Sequence, residues 1–166
     1  MAGVDSIEHA SLIDNEGINL AKAEGVALSM DIYNGDYINT VGAAENWPEE
    51  FLRKNRETTD LQRENFTKAH KAGVIIVYGT DAGVYPHGDN AKQFAYMVDR
   101  GMTNLEAIQS ATIAAAKVMG WEDQVGIIKQ GYFADLVAVR DNPLLNIQAL
   151  ESINVVIKGG KLYQNN

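Results

Sequence analysis

Short apolar runs alternate with longer amphipathic stretches through the first 120 residues, and glycines mark most of the joints. Residues 3–10 (GVDSIEHA) read as a short strand-like segment ending in His9. Asp14 with Glu16 opens a helix that carries Ile18, Leu20 and Ala21 and stops near Gly25. Residues 26–32 (VALSMDI) form a second, mostly apolar strand. The stretch 33–58 shows no clear period and holds Gly35, Gly42, Trp47 and Pro48, so it reads as a long irregular segment. A segment of that length is uncommon unless it is functional or partly helical. Thr59 or Asp60 is expected to cap a second helix running to about Ala72, closed by Gly73. Residues 74–78 (VIIVY) then form a buried strand ended by Gly79-Thr80-Asp81. Helices are expected near 90–100 and from 103 to 119, the latter opened by a capping box at Thr103 and Glu106.

Strand, helix, strand, helix, strand is the signature of parallel strands with helical crossovers. The texture changes at Gly120. Residues 125–163 read as glycine-punctuated short strands (VGIIKQG, ADLVAVR, VVIKGGKLY), with Gly159-Gly160 as a tight turn between antiparallel partners. A boundary near 121 follows, with residues 1–120 as an α/β unit and 121–166 as β-strands. The strand count does not close. A (β/α)8 barrel takes about 250 residues, and a lone hairpin is marginal in water. Both parts are therefore expected to find partners outside this chain or in another copy of it.

The net charge of −8, without any cluster of Lys and Arg, argues against nucleic acid and anionic membrane surfaces as partners. No stretch approaches the roughly 20 apolar residues of a membrane span. No signal segment is visible, so the default compartment is the cytoplasm. With no cysteine, any metal site must use His, Asp or Glu.

His9 and Asp81 each end a strand, the position where parallel barrels carry their chemistry. The strand period of two puts Ile75, Val77, Gly79 and Asp81 on one face, and Gly79 is expected to leave room beneath Asp81 for a metal or substrate. Imidazole nitrogen and carboxylate oxygen together suit zinc and similar divalent ions. Each residue also has a plainer explanation. A His before a helix can cap it or face solvent, and Asp is at home in strand-ending turns. Asp31 stands at the right height near the end of the second strand, yet it could simply begin the loop. His70, beside Lys68 and Lys71, reads as a surface residue. His87, in Tyr85-Pro86-His87-Gly88, follows Asp81 closely enough to reach a substrate, although most loop histidines have no such role.

Five segments in order, GVDSIEHA, AGVIIVYGTDAG, MTNLEAIQSATIAAAKVMGW, VGIIKQGYFADLVAVRDNPL and VVIKGGKLY, resemble the amidohydrolase superfamily, in particular its imidazolonepropionase-like and prolidase-like (Xaa-Pro dipeptidase) members. The resemblance covers nearly the whole chain. It implies strands six to eight of a (β/α)8 barrel followed by C-terminal strands of a small β-sandwich. It implies His9 as a metal ligand and Asp81 as a metal ligand and catalytic base. The family's HxH pair, its bridging Lys or Glu and its fifth-strand His have no counterpart here. The resemblance further implies a metal-dependent hydrolase of an amide or peptide C–N bond, using one or two divalent ions, zinc foremost, on a small amide or dipeptide. His87 and Tyr33 are candidates for substrate contact, and Tyr37 and Trp47 could shape the same pocket or simply pack. Two protein ligands fall short of the usual three or four. The isolated chain is therefore expected to lack activity without a complementing N-terminal half. The alternatives are one half of a split enzyme, or a non-catalytic product that forms homo-oligomers through open sheet edges.

Overall fold

A computed structural model describes residues 3–165 and places them in two three-stranded sheets with six α-helices. The first sheet contains β1 (Ser6–Glu8), β2 (Ala27–Ser29) and β3 (Ile76–Val77) in that order, all parallel. The crossovers are α1 (Asn15–Glu24) and α3 (Glu49–Ala72), with the short α2 (Asn34–Tyr37) preceding α3. After β3 come a 3-10 helix (His87–Lys92), α4 (Gln93–Asp99), α5 (Asn104–Ser110) and α6 (Ile113–Val118). The second sheet is antiparallel, with β4 (Leu136–Ala138) and β6 (Lys161–Asn165) flanking β5 (Val155–Lys158). Lys158 pairs with Lys161, so Gly159-Gly160 is the two-residue turn expected.

The helix ends follow local chemistry. Asp14 caps α1 by accepting the Gly17 amide at 2.8 Å, and Gly25 closes it in the left-handed region. Thr103 and Glu106 form the full capping box at α5. Apolar side chains on one face of the sheet (Leu28, Met30, Ile32, Val74, Ile76) pack on Ile18, Ala21, Phe66, Ala69 and Met97 from the helices. Phe66, fully buried, is the largest side chain in this core.

Four expectations fail, each for a physical reason. The irregular stretch 33–58 is mostly helical: α2 runs into a π-helical turn at Ile38–Gly42, and α3 begins at Glu49, ten residues ahead of Thr59. Thr59 looks like a cap in the sequence, but its hydroxyl bonds back to the carbonyl of Asn55 (2.7 Å) within one continuous helix, as that of Thr58 does to Lys54 (2.9 Å). The true start is Pro48 followed by Glu49 and Glu50, with Glu50–Arg53 and Arg53–Glu57 pairs along the exposed side. The helix expected over 103–119 breaks at Thr112, whose backbone leaves the helical region (φ −125°, ψ −88°). Residues 125–131 (VGIIKQG) form turns and bends instead of a strand. Gly126 and Gly131 both have positive φ, and Ile128 stands 89% exposed. The helix expected over 90–100 starts as a 3-10 turn at His87.

Candidate functional site

The register aligns Glu8, Ser29 and Val77 across the parallel sheet, so all three strands end at one rim. His9, Asp31 and Asp81 follow those ends. The Asp31 position continues the alternation of Ala27 and Ser29, opposite the apolar face of Leu28, Met30 and Ile32. Alternation alone would send His9 to the other side. The backbone instead takes a left-handed φ of 64° at His9 and 45° at Ala10, which ends the strand; the imidazole Nδ1 lies 3.0 Å from Asp31 Oδ1. Asp81 is also left-handed, with φ 50°. Such backbone outliers in residues that carry a Cβ cluster at functional sites.

One nitrogen of His9 and one carboxylate oxygen each of Asp31 and Asp81 lie within 4.8 Å of one another. This mixed nitrogen and oxygen set fits a divalent cation such as zinc, whose donors sit roughly 2.0–2.2 Å away. Asn34, in α2, donates to both carboxylates, to Asp31 Oδ2 at 3.2 Å and Asp81 Oδ2 at 3.4 Å. Gln62, from the middle of α3, donates to Asp31 Oδ1 at 2.9 Å. Burial by itself would lower the pKa of His9. The facing carboxylate of Asp31, helped by Asp81 and Glu8, outweighs it and holds the pKa above its usual value.

Two cavities flank the three residues. One, of about 230 Å³, lies over the strand ends and is lined by Glu8, Ser29, Gly79 and Thr80. The other, of about 290 Å³, runs beside α2 and α3 to Ile38, Phe51 and Lys54. Gly79 borders the smaller cavity together with Asp81, and a Cβ there would collide with Ser29 Oγ. Gln93, fully buried, ties the floor together. Its amide donates to the Gly79 carbonyl, and its oxygen faces the Tyr33 amide at 3.5 Å.

Of the residues singled out in the sequence, His9, Asp31 and Asp81 come together. Tyr33 is buried, its ring in edge contact with Tyr85 (4.9 Å) and tilted against Tyr96 (5.4 Å), and burial raises its phenol pKa. Tyr37 and Trp47 belong to the same aromatic group. His87 is exposed at the start of the 3-10 helix, and among the described residues no hydrogen bond or ion pair links it to the site. His70 is not a free surface residue: it is mostly buried, and its Nε2 lies 3.6 Å from Glu106. Asp31 was legible as a strand-end carboxylate. Asn34, Gln62 and Gln93 carried no comparable signal, because nothing local distinguishes a buried amide on a helix from an exposed one.

The amidohydrolase family model matches residues 1–163, and this chain belongs to that family. A Xaa-Pro dipeptidase solved with methionine in its active site is 42% identical, superposes with a TM-score of 0.93, and is matched over 99% of this chain and 41% of its own. A prolidase complexed with N-methylphosphonate-L-proline is 28% identical, with a TM-score of 0.90 over 99% of this chain and 41% of its own. Ochratoxinase of Aspergillus niger is 34% identical over 168 aligned residues, covering 98% of this chain and 34% of that protein. The chain thus spans about a third of the length of that curated relative. No helix among the described residues is long and apolar enough to cross a membrane.

Proposed function

We propose that this chain supplies part of the active site of a metal-dependent hydrolase that cleaves an amide or peptide C–N bond. His9 and Asp81 hold a divalent cation, zinc by their donor chemistry, and Asp81 is also the general base. The observation that carries the reading is the meeting of one imidazole and two carboxylates at the ends of three adjacent parallel strands. Parallel barrel enzymes gather their catalytic groups at that rim.

A bound divalent ion supplies Lewis acidity for the attacking water and the substrate carbonyl. The remaining work falls to the chain's own side chains. Asp81 takes the proton of the attacking water on its carboxylate and returns it to the leaving amine nitrogen. Asn34 holds that carboxylate by one oxygen and leaves the other for the proton. A small amide or dipeptide occupies the cavity between the strand ends and α3. Ile38 and Phe51 offer apolar contact there, and Lys54 is the cation on its wall for a substrate carboxylate. Tyr33 and His87 line neither of the two cavities, so contact with them requires a substrate that extends beyond the cavities.

In this reading residues 1–120 correspond to strands six to eight of a (β/α)8 barrel and 121–166 to strands of a small flanking β-sandwich. The donors His9 and Asp81 fall short of a full zinc site, so further ligands come from polypeptide beyond this chain, continuous with it or a complementing half, and the isolated chain is inactive. Replacing the matching segment of the Xaa-Pro dipeptidase relative with this chain tests the proposal. The chimera is expected to hydrolyse dipeptides with zinc and to lose about 10²–10⁴-fold of kcat on Asp81→Asn. Full activity in that variant refutes the assignment.

A second reading, a non-catalytic chain that self-associates through its sheet edges, draws on exposed Val137 of β4, which pairs only with β5 among the described residues. A stable monomer in gel filtration at low concentration rules it out.

A further inference from the structure

The two carboxylates of the site are held very differently. Asp31 is 7% exposed, and an ionised carboxylate so buried needs compensating partners. It has three: Gln62 at 2.9 Å and His9 at 3.0 Å on Oδ1, and Asn34 at 3.2 Å on Oδ2. Asp81 is exposed, and among the described residues it receives only the Asn34 amide, at 3.4 Å. The His9 side chain is 56% exposed, and Nδ1 is its single hydrogen-bonded ring nitrogen among the described residues. Both carboxylates border the cavities, but Asp31 takes three hydrogen bonds from within the fold and Asp81 takes one among the described residues.

We propose that Asp31 is a positioning residue, not a cation ligand. It accepts the Nδ1–H of His9 and so fixes the tautomer that turns a bare Nε2 toward the site. This rests on the reading of His9 as a ligand. Neutral imidazole has an acceptor on only one nitrogen, and the hydrogen bond at the other nitrogen decides which one. Carboxylates behind ligating histidines do this work in metal sites generally. Gln62 and Asn34 hold Asp31 in turn, one from the middle of α3 and one from α2. The second strand therefore contributes its end group to the orientation of the first strand's ligand and, through Asn34, to that of Asp81.

Long-range proton–nitrogen NMR of the three histidines in the full chain, without metal and at a pH where imidazole is neutral, reads the tautomer directly. A His9→Asn variant identifies the resonance. His9 is expected to be protonated at Nδ1, against the usual preference of free imidazole for Nε2–H. Asp31→Ala should return it to Nε2–H, Asp31→Asn should retain part of the preference, and Gln62→Met should weaken it. An Nε2–H tautomer in the wild type overturns the proposal, as does an unchanged tautomer in Asp31→Ala. If Asp31→Ala does not fold, the wild-type, Asp31→Asn and Gln62→Met spectra decide. Zinc titration of the chimera with the Xaa-Pro dipeptidase relative, where the further ligands are present, adds a second readout. Asp31→Asn should weaken binding by about 10- to 100-fold without abolishing it. Abolished binding with an unchanged tautomer makes Asp31 a ligand and refutes the positioning role. A chimera that takes no zinc defeats the hydrolase reading but leaves the tautomer result standing, so the two failures are distinguishable.

Discussion

Gly79→Ala tests whether β2 and β3 close tightly beneath the site. Gly79 does not have the positive φ that glycine alone tolerates, so an alanine meets no backbone penalty there. Its Cβ would, however, collide with Ser29 Oγ and sit 3.3 Å from Ser29 Cβ and 3.9 Å from the Ser29 carbonyl carbon. The hydroxyl can escape by changing its χ1. The Cβ contact cannot be relieved that way and requires the strand ends to separate. Overpacking of this kind costs about 1–3 kcal/mol. Separation also moves Asp31 away from Asp81, since they follow these two strands. Urea unfolding by circular dichroism should show Gly79→Ala losing about 1–3 kcal/mol. Ser29→Gly in the same chain should recover most of that loss, because it removes both offending atoms. Ser29→Ala should recover only part, because the Cβ stays. A Gly79→Ala chain as stable as wild type refutes the reasoning, and so does a double variant whose cost is the sum of the two single costs.

Phe66→Ala empties the centre of the packing between α3 and the sheet and should cost about 3–5 kcal/mol, read from the same unfolding curves; a loss under about 1 kcal/mol contradicts the burial described. Thr103→Ala removes the capping hydroxyl from α5 and should cost about 1 kcal/mol, while Thr103→Ser should restore most of it. The pKa of Glu106 is lowered by hydrogen bonds from the Thr103 amide and hydroxyl and by the charge of His70. Its stabilisation is therefore present above the carboxylate's unfolded value and is lost as pH falls through the lower folded value. Glu106→Gln should differ from wild type at neutral pH and converge with it in acid, which unfolding curves across that range can check.

The parallel βα order and the two strand-end residues His9 and Asp81 were readable because each depends on local pattern. Apolar runs of strand length bounded by glycine, and polar groups at their ends, need no knowledge of what lies opposite. The start of α3 was not readable for the same reason in reverse. Residues 49–58 (EEFLRKNRET) show no continuous apolar face, so hydrophobic periodicity gave no helix there. That segment is held instead by charge pairs on one side and by polar burial on the other.

The polar burial explains why the face stayed hidden. Asn55, Thr59 and Gln62 recur at helical spacing and are buried, with apolar Leu52 before them on the stripe and Phe66 and Ala69 after them. A stripe that changes from amide and hydroxyl to hydrocarbon along one helix marks two different neighbours. The apolar half covers the sheet. The polar stretch faces the site, where Gln62 meets Asp31 beyond the second strand and Asn55 meets the Gly35 carbonyl of α2 at 2.9 Å. Satisfied hydrogen bonds replace hydrocarbon contact on that stretch because buried carboxylates must be paired. A buried face of α3 that breaks the rule of apolar interiors is therefore the trace that the site leaves in the sequence. It becomes visible only once the height of Asp31 on the second strand is known.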